Sequence, residues 1–138
     1  MRGSVSVELV IILLVAAYLL FAVNRGYLDT GMLYASDVDR VAAMRSSVEK
    51  LVAFVRNAGY AGVGTRFTVY ITVPPEGRIY WGEKAVGGEV GVSQEYNACP
   101  NGVCRYEVAV PFSLNSGSIT ESGVLTVEKV GPGEVRIT

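Results

Sequence analysis

The side chains able to do chemistry in this chain are few, and its two cysteines are the most distinctive of them. Cys99 and Cys104 lie in the segment CPNGVC, in which Pro-Asn-Gly is typical of a tight turn. Two cysteines on either side of such a turn can reach disulfide geometry, so we predict a disulfide between them, with free thiols as the alternative. A metal site would need two more ligands, and a redox-active pair is usually C-x-x-C at a helix start.

The rest of the composition argues against catalysis. The 138 residues include no histidine, which removes the usual acid/base near neutral pH and the commonest metal ligand. The sequence contains no nucleophile elbow, Walker loop or dinucleotide fingerprint. Twelve Lys and Arg against thirteen Asp and Glu provide no basic field that would gather phosphates. We therefore expect a protein that is not an enzyme, with no cofactor, no metal and no nucleic acid as its main partner.

The strongest pattern is an apolar run near the N-terminus. Leu9–Val23 is fifteen residues without a charge, glycine or proline, and Ser4–Glu8 extends the stretch to twenty. A helix of that length is about 30 Å long, the thickness of a bilayer core. Three interpretations compete, namely a secretory signal peptide, a plain membrane anchor, and an anchor that later becomes the core of an assembly. The segment AVNRGYLD that ends the run is a poor signal-peptide cleavage site.

The presence of Glu8 helps to distinguish a plain membrane anchor from an anchor that becomes the core of an assembly. A carboxylate inside an apolar run costs about 2–3 kcal/mol at mid-bilayer and less near the interface, and a plain anchor gains nothing from it. Glu8 at the headgroup level, or beside the positive end of the helix dipole, is one explanation. A buried Glu8 is better explained by a positively charged partner.

Gly3, Ser4, Ser6, Glu8 and the apolar run resemble the class III signal of type IV prepilins. In that family a peptidase cuts just after a glycine, and a cut between Gly3 and Ser4 makes Glu8 the fifth mature residue, the family's position for its acidic residue. Ser6 and Glu8 match the archaeal form of the motif at its third and fifth positions. Ser4 departs from the usual glutamine at the first position, and the leader over residues 1–3 is unusually short.

The resemblance implies the structural subunit of an extracellular type IV pilus-like filament of the archaeal kind, with adhesion as the family's common use. Its implied partners are other copies of the chain, a prepilin peptidase, an assembly ATPase and a membrane platform protein. The chain would wait in the cytoplasmic membrane before it joins a filament on the cell surface. The residues implied in processing are Gly3 and Ser4, and those implied in assembly are Glu8, Leu9, Ile12, Leu13, Leu20 and Phe21.

Other uses of such a chain stay open at the level of sequence. Within the family, an archaellum subunit or a minor pseudopilin has the same layout. In a different class, a monomeric membrane-anchored binding protein would carry the same helix and head. The filament hypothesis predicts that Glu8→Leu impairs assembly, whereas a monomeric anchor tolerates that change.

The helical pattern continues to about Ala58. Gly26 and Gly31 interrupt it, either as a bend or as points of close helix approach. We divide the predicted helix, residues 4–58, into a membrane or filament-core half (4–25) and an amphipathic half (26–58) that packs on the chain's own head. The apolar stripe of the second half comprises Val41, Met44, Val48, Leu51 and Val55, widened by Ala42, Val52 and Phe54.

The chain changes character after the helix, and residues 59–138 are predicted to form a β-rich head. Alternating apolar residues from Phe67 to Val73 and from Val103 to Val110 indicate strands with one buried face. We predict turns at Pro74–Gly77, Gly87–Gly88 and Gly131–Gly133, and a strand end at Pro111. The sequence therefore predicts an α+β protein, a long N-terminal helix followed by a small antiparallel sandwich or barrel.

Overall fold

A computed structural model describes residues 7–138, apart from the side chain of Glu8. The α+β layout is confirmed, with one long helix followed by five strands. The chain divides after Ser36 into two units, the helical residues before it and the compact head Asp37–Thr138. The elements are α1 (Val7–Tyr60), β1 (Arg66–Ile71), β2 (Gly77–Gly91), a 3₁₀ turn (Pro100–Gly102), β3 (Val103–Ile119), β4 (Gly123–Gly131) and β5 (Glu134–Ile137).

The five strands form one sheet in the order β1-β4-β5-β3-β2. Neighbours are antiparallel except for β3 and β5, which are parallel. The head is thus an open mixed sheet, where the sequence predicted an antiparallel sandwich or barrel. The physical reason is that the C-terminal part of α1 supplies the apolar layer that a second sheet would otherwise provide.

From Val41 onward α1 packs on this sheet, whereas residues 26–36, which the sequence placed in the same amphipathic half, are exposed. Met44, Val48, Leu51 and Val55 are each at most 1% exposed, and Val41 packs against them. Ala42 is exposed and does not widen the stripe, whereas Val52 is buried and Phe54 is half-buried. The strand residues of the same core include Val69, Ile71, Ile79, Val86, Val90, Val127, Val135 and Ile137.

Gly87 and Gly88 do not form a turn but lie within β2. A Cβ on Gly88 would lie 2.8 Å from Sδ of Met44, and one on Gly87 would lie 2.5 Å from the ring of Tyr80. Because the helix touches one face of the strand here and an aromatic ring touches the other, the two positions lack room for side chains. The glycine pair therefore marks close packing on both faces of a strand.

Pro111 does not end β3, which continues to Ile119. The ladder between β2 and β3 pairs Ala85 with Ala109 and then Glu83 with Leu114, so β3 has extra residues around Pro111 without a regular partner in β2. Proline has no N–H to donate, and it is tolerated in a strand at such a bulge. The turns at Pro74–Gly77 and Gly131–Gly133 are confirmed.

Polar side chains also connect the helix to the sheet. Ser47 donates its hydroxyl to the main-chain oxygen of Thr72, and Lys50 donates to that of Tyr70 at 2.8 Å. Lys129 is buried and donates to the main-chain oxygen of Gly59 in the last turn of α1. A lysine at this helix end satisfies an otherwise unpaired carbonyl and complements the negative end of the helix dipole.

The burial of the helix stripe predicts a large difference between two valines of the head. We expect Val48→Ala, at a fully buried position, to lower the free energy of unfolding by about 2 kcal/mol, because it removes apolar contact and leaves a cavity. Val124→Ala is the matched control because Val124 is 63% exposed, and it should change stability by less than about 0.5 kcal/mol. Denaturant unfolding of the full chain in a nonionic detergent measures both, and equal effects would contradict the packing described.

Candidate assembly interface

The apolar side chains of the first helical unit are exposed in the isolated chain. Leu9 is 52% exposed and Leu20 is 69% exposed, and Ile12, Leu13 and Phe21 lie between these values. Apolar residues occur at successive positions, so they surround the helix and do not form a single stripe. Such a surface is stable only when lipid or other apolar chains cover it.

Within the described residues, α1 is the one helix long and apolar enough to cross a membrane. The mean hydropathy of its most apolar window is 2.2, and none of that window is buried inside the chain. These properties fit a membrane anchor or a signal sequence. The five predicted assembly residues that the structure describes all lie on this unit and are all exposed.

Gly26 and Gly31 lie within α1, which continues through both. A Cβ added to either would meet no other atom within 4 Å. Thr30 donates its hydroxyl to the main-chain oxygen of Gly26 at 2.9 Å, and the guanidinium of Arg25 lies 5.6 Å from the ring centre of Phe21. No side chain projects from the helix at the two glycines, and such a surface suits close approach by a neighbouring helix.

Gly3 and Ser4, predicted as the processing site, lie outside the described residues. The backbone of Glu8 is helical, but its side chain also lies outside what the structure describes. Cleavage after Gly3 and the pairing of Glu8 with a positive group therefore stay predictions.

Asp37, which the sequence interpretation did not identify, is a buried carboxylate at the start of the head unit. It is 1% exposed. Its two oxygens accept hydrogen bonds from the main-chain N–H of Ser93 at 2.9 and 3.0 Å, and one also accepts from the hydroxyl of Tyr96 at 2.9 Å. These bonds connect α1 to the segment between β2 and the 3₁₀ turn.

The hydrogen bonds to Asp37 favour its ionised form. The pKa of Asp37 is lowered chiefly by the N–H of Ser93, against the opposing effect of burial and with help from Tyr96. A signal for this residue was present in the sequence. Asp37 lies four residues before Val41, so it continues the spacing of the buried stripe, and an acidic residue on a buried face needs a partner.

Cys99 and Cys104 form a disulfide with their Cα atoms 4.3 Å apart. Asn101 and Gly102 between them have φ angles of 58° and 67°, in the left-handed region that asparagine and glycine tolerate best. The N–H of Cys99 donates to the main-chain oxygen of Tyr96 at 2.9 Å, so the disulfide loop adjoins the partner of Asp37. Among residues 7–138, no group of three or more potential ligands is arranged to hold a metal ion.

The fold and its exposed helix define an α+β protein with one N-terminal apolar helix able to serve as a membrane anchor or signal. No model of a known protein family matches the chain, and neither does any curated protein or solved structure. The function must therefore be inferred from the chain's own residues.

The buried carboxylate predicts acid sensitivity of the head. Because the folded-state pKa of Asp37 lies below its unfolded value, its stabilising effect is complete above about pH 5 and is lost as the pH falls through the folded pKa. We expect Asp37→Asn to lower the unfolding midpoint at about pH 7 and to weaken its dependence on pH below about pH 5. Asp39→Asn, at an exposed position two residues away, is the matched control and should do neither. Thermal unfolding across this pH range measures both, and identical profiles for the two variants would contradict the role of Asp37.

Proposed function

We propose that this chain is the structural subunit of an extracellular type IV pilus-like filament of the archaeal kind. In this proposal the apolar part of α1 forms the filament core with the helices of other copies, and the β-rich heads form the outer wall. The filament serves in attachment to surfaces or cells. Before assembly the chain is held in the cytoplasmic membrane by the same apolar segment.

One observation carries the proposal. The helix is apolar on all sides over residues 9–23 and exposed in the single chain, whereas the head has a complete core of its own between α1 and the sheet. The head therefore does not need the apolar segment for its fold. That segment is available for another apolar environment, first lipid and then identical helices.

The energetics of that exchange favour specific packing as its driving force. Moving an apolar helix from lipid into a bundle buries the same surface in both states, so the bulk hydrophobic gain is small. Close contact between helices and a pairing of Glu8 with the new N-terminal amine of a neighbour supply specificity. Gly26 and Gly31 are exposed and carry no side chain, which allows a neighbouring helix to approach closely.

The alternatives keep the same architecture with other uses. An archaellum subunit would polymerise in the same way for swimming, and a minor pseudopilin would prime or cap a secretion apparatus. A monomeric membrane-anchored binding protein would use the helix only as an anchor. The observation that favours the monomeric anchored protein is the apolar composition of the helix, which suits a membrane anchor. This alternative predicts that no filament forms.

The first experiment images material sheared from the source cells and determines the N-terminus of this chain by mass spectrometry. The proposal requires filaments that contain this chain. The chain in them should begin at Ser4, and its apolar helix should lie at the filament centre. A chain that stays in the membrane fraction with residues 1–3 intact, and no filament, would contradict it. Abundance and helical symmetry then separate a pilus from an archaellum or a minor pseudopilin.

The second experiment separates assembly from anchoring by mutation. We expect Glu8→Leu and Phe21→Ala to leave the chain in the membrane, because both keep the segment apolar, and to reduce the yield of sheared filaments at least about tenfold. Glu121→Leu, at an exposed position on the head, is the control for Glu8→Leu and should assemble normally. Normal filaments from both helix variants would contradict a role for Glu8 and Phe21 in assembly.

A further inference from the structure

The ribbon formed by β2 and β3 is irregular at one place in a way that shapes its outer surface. The register between the strands shifts on both sides of Glu83, which has a φ of 45° in the left-handed region. Bulges of this kind bend a strand and increase its twist. Across the bulge, the ring of Tyr80 lies against Gly87, seven positions further along the same strand.

Glycines make this arrangement possible. A Cβ on Gly87 would lie 2.5 Å from the ring of Tyr80, and a Cβ on Gly117 would lie 2.5 Å from the indole of Trp81. The hydroxyl of Tyr80 donates to Glu107 at 3.1 Å, which fixes the ring further. The two aromatic residues are thus held in place by close contact with main chain, and the surface beside them is preformed.

A groove of about 580 Å³ lies on this surface. Its polar lining is formed by Arg78, Tyr80, Glu89, Arg105, Ser116 and Ser118. Because Tyr80 pairs with Ser118 and Glu89 pairs with Arg105 across the two strands, the polar groups project from the same ribbon.

The two arginines of the groove differ in whether a carboxylate lies beside them. Arg105 lies 3.3 Å from the carboxylate of Glu89, which makes a neutral pair. Arg78 is exposed, and it donates a long hydrogen bond of 3.3 Å to the hydroxyl of Ser118. Within the described part of the chain, no carboxylate lies within ion-pair distance of Arg78, so most of its donors can serve a ligand.

We propose that this groove binds a saccharide chain that carries carboxylate groups, with Arg78 as the group that recognises the carboxylate. Arginine binds carboxylates through two parallel hydrogen bonds, which provide direction as well as charge. The Glu89–Arg105 pair and the two serines offer both donors and acceptors, which is what sugar hydroxyls require. Tyr80 adds a flat apolar surface with a polar hydroxyl.

The shape and lining favour a saccharide over an acidic peptide. An acidic peptide is usually bound by a cluster of arginines, or it adds as a strand to a free edge such as that of β2. The groove instead has one arginine outside an ion pair, and hydroxyl-bearing residues are spread along it. The site would define the chemical class that the filament attaches to, so its biological role rests on the proposed function, although binding itself does not require assembly.

The single tryptophan of the chain makes the proposal testable by fluorescence. Trp81 borders the groove, and it is the only tryptophan present. The full chain in a nonionic detergent is titrated with trigalacturonate, with maltotriose as the neutral sugar and triglutamate as the charged peptide. We expect a saturable change in Trp81 fluorescence with trigalacturonate, and binding at least about tenfold weaker with the other two.

Variants then assign the recognition to Arg78. Arg78→Gln should weaken trigalacturonate binding at least about tenfold, whereas Arg136→Gln, at an exposed arginine of β5 outside the groove, should leave it unchanged. Near-ultraviolet circular dichroism establishes that each variant retains the fold. No saturable signal, equal binding of triglutamate or maltotriose, or equal effects of the two variants would overturn the proposal. Because the titration uses unassembled chain, its failure would leave the filament hypothesis standing, and absence of filaments would leave the groove standing.

Discussion

The apolar surface of residues 9–23 must be kept out of water, and the rest of the molecule is organised around that requirement. The same helix α1 supplies the head with its core, but only from its second half. The core of the head includes no residue of the first half. The chain therefore combines a head that has its own buried core with a segment whose apolar side chains are exposed, and the location of the protein is decided by what covers that segment.

The change between these two environments occurs at a buried carboxylate. Asp37 is the first residue of the head unit, and its partners Ser93 and Tyr96 belong to the segment next to the disulfide loop. Burial of a charge costs free energy, and at this point the hydrogen bonds from Ser93 and Tyr96 offset that cost. Asp37 thus connects the beginning of the amphipathic face to a loop more than fifty residues away in sequence. These hydrogen bonds link the helix to the head in addition to the apolar packing.

The sequence was sufficient for the features that local chemistry decides. The helix, its buried stripe, the turn at Gly131–Gly133 and the α+β layout all follow from periodicity and turn residues. The position of β5 between β4 and β3 could not be predicted, because parallel pairing with β3 depends on contacts distant in sequence. The glycine pair in β2 was misinterpreted because a turn and a close approach on two faces require the same residue. The groove was missed because its arginines become neighbours only when β2 and β3 pair.

The contacts of Ser47 and Lys50 affect whether the sheets of two heads can pair at their edges. β1 is an edge strand, and the free main-chain oxygens of an edge invite another strand to pair with it. The helix side chains already occupy the oxygens of Tyr70 and Thr72, which lie on the same side of the chain. These two contacts occupy part of the β1 edge with which another strand could otherwise pair, so they limit sheet-to-sheet association of heads at that edge.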